Sequence, residues 1–155
     1  MPPVTSYATL DTRTGGSTPA ESVPVWDFDA SAVEYVDLLC QLIGYAGGGV
    51  SITLVWLASS ATSGDAVWGI GIRRLGDGTE DVDAAHTYDF NEATAAAASA
   101  AGEPRYTTIT FADGGDMDGW ADGELAIVRI RRNASHAGDT MSGDAELLSV
   151  SGKEA

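Results

Sequence analysis

What most restricts the fold of this chain is a two-residue alternation of apolar and polar side chains, repeated in short runs broken by Gly, Asp, Ser and Pro. Successive side chains of a β-strand point to opposite faces, so such a run buries one face and wets the other. In residues 50–58, Val50, Ile52, Leu54 and Trp56 share one face, while Ser51 and Thr53 share the other. In residues 66–74, Trp68, Ile70 and Ile72 oppose Gly69, Gly71 and Arg73. The polar stretch 59–65 between them reads as a hairpin loop, which predicts that these two strands pair with each other antiparallel.

The same rhythm predicts strands over 105–111, over 124–132 with Ala126, Val128 and Ile130 inward, and over 145–151 with Leu148 and Val150 inward. Upstream, 7–11, 23–28 and 33–39 are further candidates, about eight in all. Val33, Val36, Leu39 and Cys40 also satisfy helical spacing, but β-branched and aromatic content and the following Gly47, Gly48 and Gly49 favour a strand. Residues 91–101 carry seven alanines and no large apolar anchor, so a loose surface helix or coil is expected there. A short helical turn is expected over 116–121, with Met117 and Trp120 inward and Gly123 ending it.

A chain of 155 residues fits one domain. Residues 1–22 contain Pro2, Pro3, Gly15, Gly16 and Pro19, and read as an extended N-terminal arm able to drape over a neighbour. Residues 23–155 read as the domain proper. The expected fold is all-β, a jelly-roll-like antiparallel β-sandwich of about eight strands, because that arrangement buries alternating faces and protects sheet edges.

Eight basic residues against 23 acidic ones give a formal charge of -15. Such a chain repels phosphate backbones and anionic lipid surfaces, so neither nucleic acid nor membrane is expected as a partner. No window approaches the ~18–20 apolar residues of a membrane span, and the N-terminus lacks the pattern of a secretion leader. Synthesis in the cytoplasm without export by a standard secretion route is therefore expected. Cys40 is the one cysteine, lies in an apolar run, and reads as a buried inert thiol.

The chemistry-bearing residues do not assemble into a motif. His86 and His136 sit in polar loops, and there is no Gly-x-Ser-x-Gly elbow and no zinc-ligand spacing. Loops 77–83 and 113–118 offer hard oxygen ligands, yet an EF-hand would place Gly where Val82 stands and add a later Glu, so they read as solvated acidic turns. Nothing selects a carboxylate pair for glycoside hydrolysis. Gly47, Gly48 and Gly49 read as a turn or bulge before a strand. No catalytic, cofactor-binding or metal-binding residue is assigned, no cofactor is expected, and the chain is not expected to be an enzyme. Arg73, Arg74, Arg129, Arg131 and Arg132 collect at two strand ends, where they pair either with acidic loops of their own chain or with a neighbouring copy.

Several segments taken together resemble a known group: Tyr45-Ala46-Gly47-Gly48-Gly49-Val50, Val55-Trp56 running into Ala61-Thr62-Ser63-Gly64 and Val67-Trp68, residues 109–117, residues 128–133, and 139–148. The set is similar to a family of small bacteriophage and prophage structural proteins, over roughly residues 7–150. The chain departs from that family in carrying Cys40-Gln41-Leu42-Ile43-Gly44 where the family has a Pro-containing stretch. The resemblance implies a place in the virion, on the capsid exterior. The expected role is that of a capsid cement or decoration protein that binds the major capsid protein and self-associates as a homotrimer. The alternative is a receptor- or carbohydrate-binding domain of a tail or head fibre, for which Trp120 in its Asp/Gly-rich loop is the candidate platform.

Overall fold

The computed structural model describes residues 6–155. Its elements, in chain order, are β1 (Thr9–Gly15), β2 (Glu21–Phe28), β3 (Glu34–Gln41), β4 (Val50–Ala58), β5 (Asp65–Leu75), β6 (Phe90–Ala96), β7 (Arg105–Phe111), a 3-10 turn (Gly115–Met117), β8 (Leu125–Arg132) and β9 (Ala145–Glu154). They form two antiparallel sheets, one in the order β1-β2-β9-β4-β7 and the other in the order β3-β8-β5-β6.

The pairings β5 with β6, β4 with β7, β3 with β8 and β2 with β9 nest inside one another. The chain is therefore one long double ribbon, folded at the β5–β6 connection and wrapped so that successive ribbon segments alternate between sheets. That winding is the jelly roll, here with β1 added outside β2. The inner faces meet around Trp56 and Trp68, one from each sheet, with ring centroids 5.6 Å apart. Phe28 meets Trp68 edge-on at 5.1 Å, and all three side chains are fully enclosed. Aromatic side chains of this size each bury ~150–250 Å², so this trio anchors the core.

Several expectations need correction. β4 and β5 do not pair with each other: β4 lies between β9 and β7, and β5 between β8 and β6. Each already has two neighbours in its own sheet, so residues 59–64 cross from one sheet to the other. The alanine run is β6, an edge strand paired with β5 from Asp65↔Ala96 to Gly71↔Phe90. Its small side chains suit the place, since Ala93 stands opposite Trp68 and packs with Ala95 against the core. A backbone ladder to a formed strand outweighs the few tenths of a kcal/mol per residue by which alanine prefers a helix.

In β9 the inward residue is Leu147, not Leu148. The register with β4 shifts between Val55 and Trp56, so Leu54 faces Val150 while Trp56 faces Leu147. The bulge at Leu148 turns both Leu147 and Val150 inward, which strict alternation forbids. Residues 6–22 are built into the sandwich instead of forming a separate arm: β1 pairs with β2 along its whole length, and Tyr7 bridges Tyr35 of β3. The first five residues of the expected arm lie outside the described residues. The helical turn expected over 116–121 is confined to the 3-10 segment and ends at Asp118, in the left-handed region, instead of at Gly123, while Met117 and Trp120 are buried as expected.

Candidate functional site

β2 pairs with β9 only from Trp26↔Leu147 to Phe28↔Ala145. Residues 21–25 turn away with β1, so past Leu147 β9 has β4 on one side and, among the described residues, no strand on the other. Opposite it, β3 is the edge of the four-stranded sheet. The sheets part there and leave a cleft of about 650 Å³. Leu38, Cys40 and Leu42 line it from the β3 side, Val150 and Gly152 from β9, and Trp120 from the loop before β8.

The rim of this cleft carries free backbone. The Tyr35 N–H donates to the Ser6 carbonyl at 2.9 Å, and the Tyr35 carbonyl accepts from the Ala8 N–H at 3.0 Å, so the peptide groups of Tyr35 face the open edge. Peptide groups alternate in direction along an antiparallel strand, which turns those of Asp37, Leu39 and Gln41 to the same edge. No strand covers them among the described residues. Leu39 and Ile43, at the mouth, are 69% and 73% exposed.

Trp120 is only 6% exposed, and its indole N–H donates to the Glu124 carbonyl at 2.8 Å. It walls the cleft and presents no open aromatic platform. The Tyr45 hydroxyl donates to the Asp113 carboxylate at 2.6 Å and accepts from the Gly49 N–H at 2.9 Å, which pins the glycine turn to the cleft's end. The Asp113 hydrogen bond raises the Tyr45 phenol above its usual range. Burial pushes the Cys40 thiol up, away from the thiolate form that attacks or binds metal.

The arginine clusters pair within their own chain. Arg74 meets Glu124 at 2.6 Å, Arg129 meets Asp37 at 2.7 Å, Arg131 meets Glu92 at 2.7 Å and Arg132 meets Asp139 at 2.8 Å. Arg73 donates to the Asp81 carbonyl at 2.7 Å. The Glu124 and Asp37 hydrogen bonds hold Arg74 and Arg129 further toward the charged form than usual, and Arg74 draws the Glu124 carboxyl below its usual range. Sequence reading missed the layer that Arg129 and Arg131 build over the outer face of the four-stranded sheet. Arg129 lies 4.4 Å from the Tyr88 ring centroid, and Arg131 lies 3.8 Å from that of Phe90. The available signal was Gly69 and Gly71 at alternate β5 positions: a Cβ there would meet Arg131 at 3.0 Å and Tyr88 at 3.0 Å, respectively.

The remaining candidates are dispersed. His86 stands 4.0 Å from Asp118 and edge-on to Tyr88, while His136 accepts the Gly138 N–H. In the loop 113–118, Asp113 is bonded to Tyr45, Asp116 accepts from Asn91 and the Ala112 N–H, and Asp118 accepts the Arg74 N–H. Among the described residues no three His, Cys, Asp or Glu side chains gather as a metal site. At the root of β2, Asp27 is pushed up to about 6 by burial first and then by Asp144, Glu146, Asp11 and Glu34.

No family model matches the sequence, and no curated protein matches it. Among solved structures the chain is similar to a carbohydrate-binding module in complex with beta-1,4-galactotriose, at 9% identity and a TM-score of 0.45, over 96% of this chain and 87% of that one. A likeness so distant transfers no functional residue.

Proposed function

We propose that this chain is a structural protein of a bacteriophage particle, a cement or decoration protein that binds the major capsid protein and stabilises the head. One observation carries the reading: five of the seven arginines are paired with the chain's own carboxylates, while among the described residues two strand edges and the apolar cleft between them stand open on one side. Bonding capacity of that kind serves a protein surface better than it serves a small polar substrate. The jelly roll hosts both coat proteins and lectins, so the open side of the molecule, and not its winding, supports this role.

In this role, many copies each make a modest contact with the shell, and simultaneous engagement multiplies those contacts into strong stabilisation. Self-association as a trimer belongs to the same reading and is measured by sedimentation. Quantitative mass spectrometry of purified particles tests it. A cement protein is present in hundreds of copies, and heads lacking it burst at lower temperature. A few copies per particle, with loss of adsorption and intact heads, would point to a fibre tip instead.

A further inference from the structure

A free strand edge and an apolar trough beside it are the two halves of a strand-addition site: the edge supplies main-chain hydrogen bonds and the trough takes alternate side chains. We propose that the cleft between β3 and β9 receives an extended strand of a partner protein, with apolar side chains alternating inward and basic residues at its flanks. The proposal rests on reading the chain as a protein-binding module and adds the place and the chemistry of the contact.

Three observations converge on it. The outward peptide groups of Asp37, Leu39 and Gln41 continue the edge on which the Tyr7 segment already adds one parallel bridge at Tyr35, so this edge already makes main-chain hydrogen bonds to an extended segment in the same molecule. Across the cleft, β9 loses its β2 neighbour after Leu147, which leaves a lane in the five-stranded sheet that no described residue fills. On that lane Gly152 leaves the inner face bare, since a Cβ there would meet only Ile52 Cγ1, at 3.9 Å. An incoming apolar side chain has room where the chain itself supplies none.

Charge selects the occupant. The chain carries -15, and five of its eight cations are held in ion pairs with its own acids. As occupant of this cleft a second copy is disfavoured by the same acidic excess, so the contacts of a trimer lie elsewhere on the surface, whereas a strand flanked by Lys or Arg is attracted and steered in.

The probe is a fluorescein-labelled peptide of about nine residues, the length of an ordinary strand, alternating Val and Thr between lysine caps. Fluorescence anisotropy with the full chain should give saturable binding, weakened about tenfold or more by glutamate caps or by a central proline, which removes a ladder donor. Gly152→Leu fills the cleft and should abolish binding. Should that variant fold poorly, Ile43 decides, because it is exposed at the mouth: Ile43→Lys should weaken the lysine-capped peptide severalfold and Ile43→Glu should not. Absence of binding, equal binding of the proline peptide, or indifference to both Gly152→Leu and Ile43→Lys would overturn the proposal. So would self-association of the wild type that Gly152→Leu removes, since the occupant would then be a second copy. Particles that incorporate Gly152→Leu at full occupancy sink the cleft and leave the virion reading standing; a chain missing from particles that still binds the peptide does the reverse.

Discussion

Arg132 and Asp139 form an ion pair with both side chains out of reach of solvent, at 0% and 1% exposure, with Nη2 and Oδ1 2.8 Å apart. Two further Arg132 hydrogen bonds go to the Gly143 and Met141 carbonyls, both at 2.8 Å, and Asp139 also accepts the Val67 N–H at 2.9 Å. The pair thereby ties the end of β8, β5 and the loop 133–144 into one unit. Its substitution should be severe: Asp139→Ala leaves a buried cation without a counter-charge and is expected to cost about 3–5 kcal/mol. Urea denaturation of the variant checks this, and a loss under about 1 kcal/mol would show that the loop is held by something else.

Asp27 predicts an unusual pH dependence. Burial pushes its folded carboxyl up to about 6, above the usual carboxylate range, and its Oδ1 has no hydrogen-bond partner among the described residues. Raised affinity for a proton means that the folded state binds more protons than the unfolded state between about 4 and 6, so this residue lowers stability as pH rises through that window. The penalty is fully present above about 6 and absent below about 4. Asp27→Asn should therefore stabilise the protein at pH 7.5 by about 1 kcal/mol, a figure discounted for the partial exposure of the group. Thermal melts at pH 7.5 and pH 4 should show the gain at the first and its disappearance at the second.

Gly49 is irreplaceable on geometric grounds. Its φ is +88°, and a Cβ would stand 2.1 Å from the Phe111 carbonyl oxygen, a backbone atom that cannot swing aside. Gly49→Ala should cost about 3 kcal/mol or more, as left-handed strain and displacement of the β4–β7 ladder add together. Gly47→Ala, at φ +98° with nothing within 4 Å, should suffer the strain alone and lose less. Comparing the two denaturation midpoints separates collision from strain.

Cys40 should be a sluggish thiol. It is half-buried against the cleft, and burial raises its pKa. Alkylation by iodoacetamide at neutral pH should run well below the rate of a free cysteine in urea-unfolded protein, and should accelerate as pH rises. Equal rates in folded and unfolded protein would show the cleft open to reagent and the thiol unperturbed.

Much of the strand content was legible because the signal is local. Val50, Ile52, Leu54 and Trp56 were assigned to one face from spacing alone, and all four are buried. β7 coincides with residues 105–111 as expected. The failures share one cause. β6 was hidden because alanine carries no strand signature, and what makes Phe90–Ala96 a strand is the exposed edge of β5, whose partner residues run from Gly71 opposite Phe90 to Asp65 opposite Ala96, well outside any local window. The inward side of Leu147 was missed because a bulge is defined by the partner strand and leaves no trace in the strand that carries it. The open cleft was likewise invisible, since it follows from where β2 leaves β9, nearly the full length of the chain away.

By itself, then, the sequence determined that this is an all-β sandwich, which residues point inward along most strands, and that it carries a large acidic excess. These follow from side-chain alternation and from charge, which are properties of each residue and its near neighbours. Only the tertiary structure decided that β4 and β5 lie in opposite sheets, that the clustered arginines of β5 and β8 are satisfied at home, and that one side of the jelly roll is left unzipped among the described residues. Those outcomes depend on which strand arrives beside which, a choice made by backbone ladders and buried area between residues far apart in the chain, where no local pattern records it.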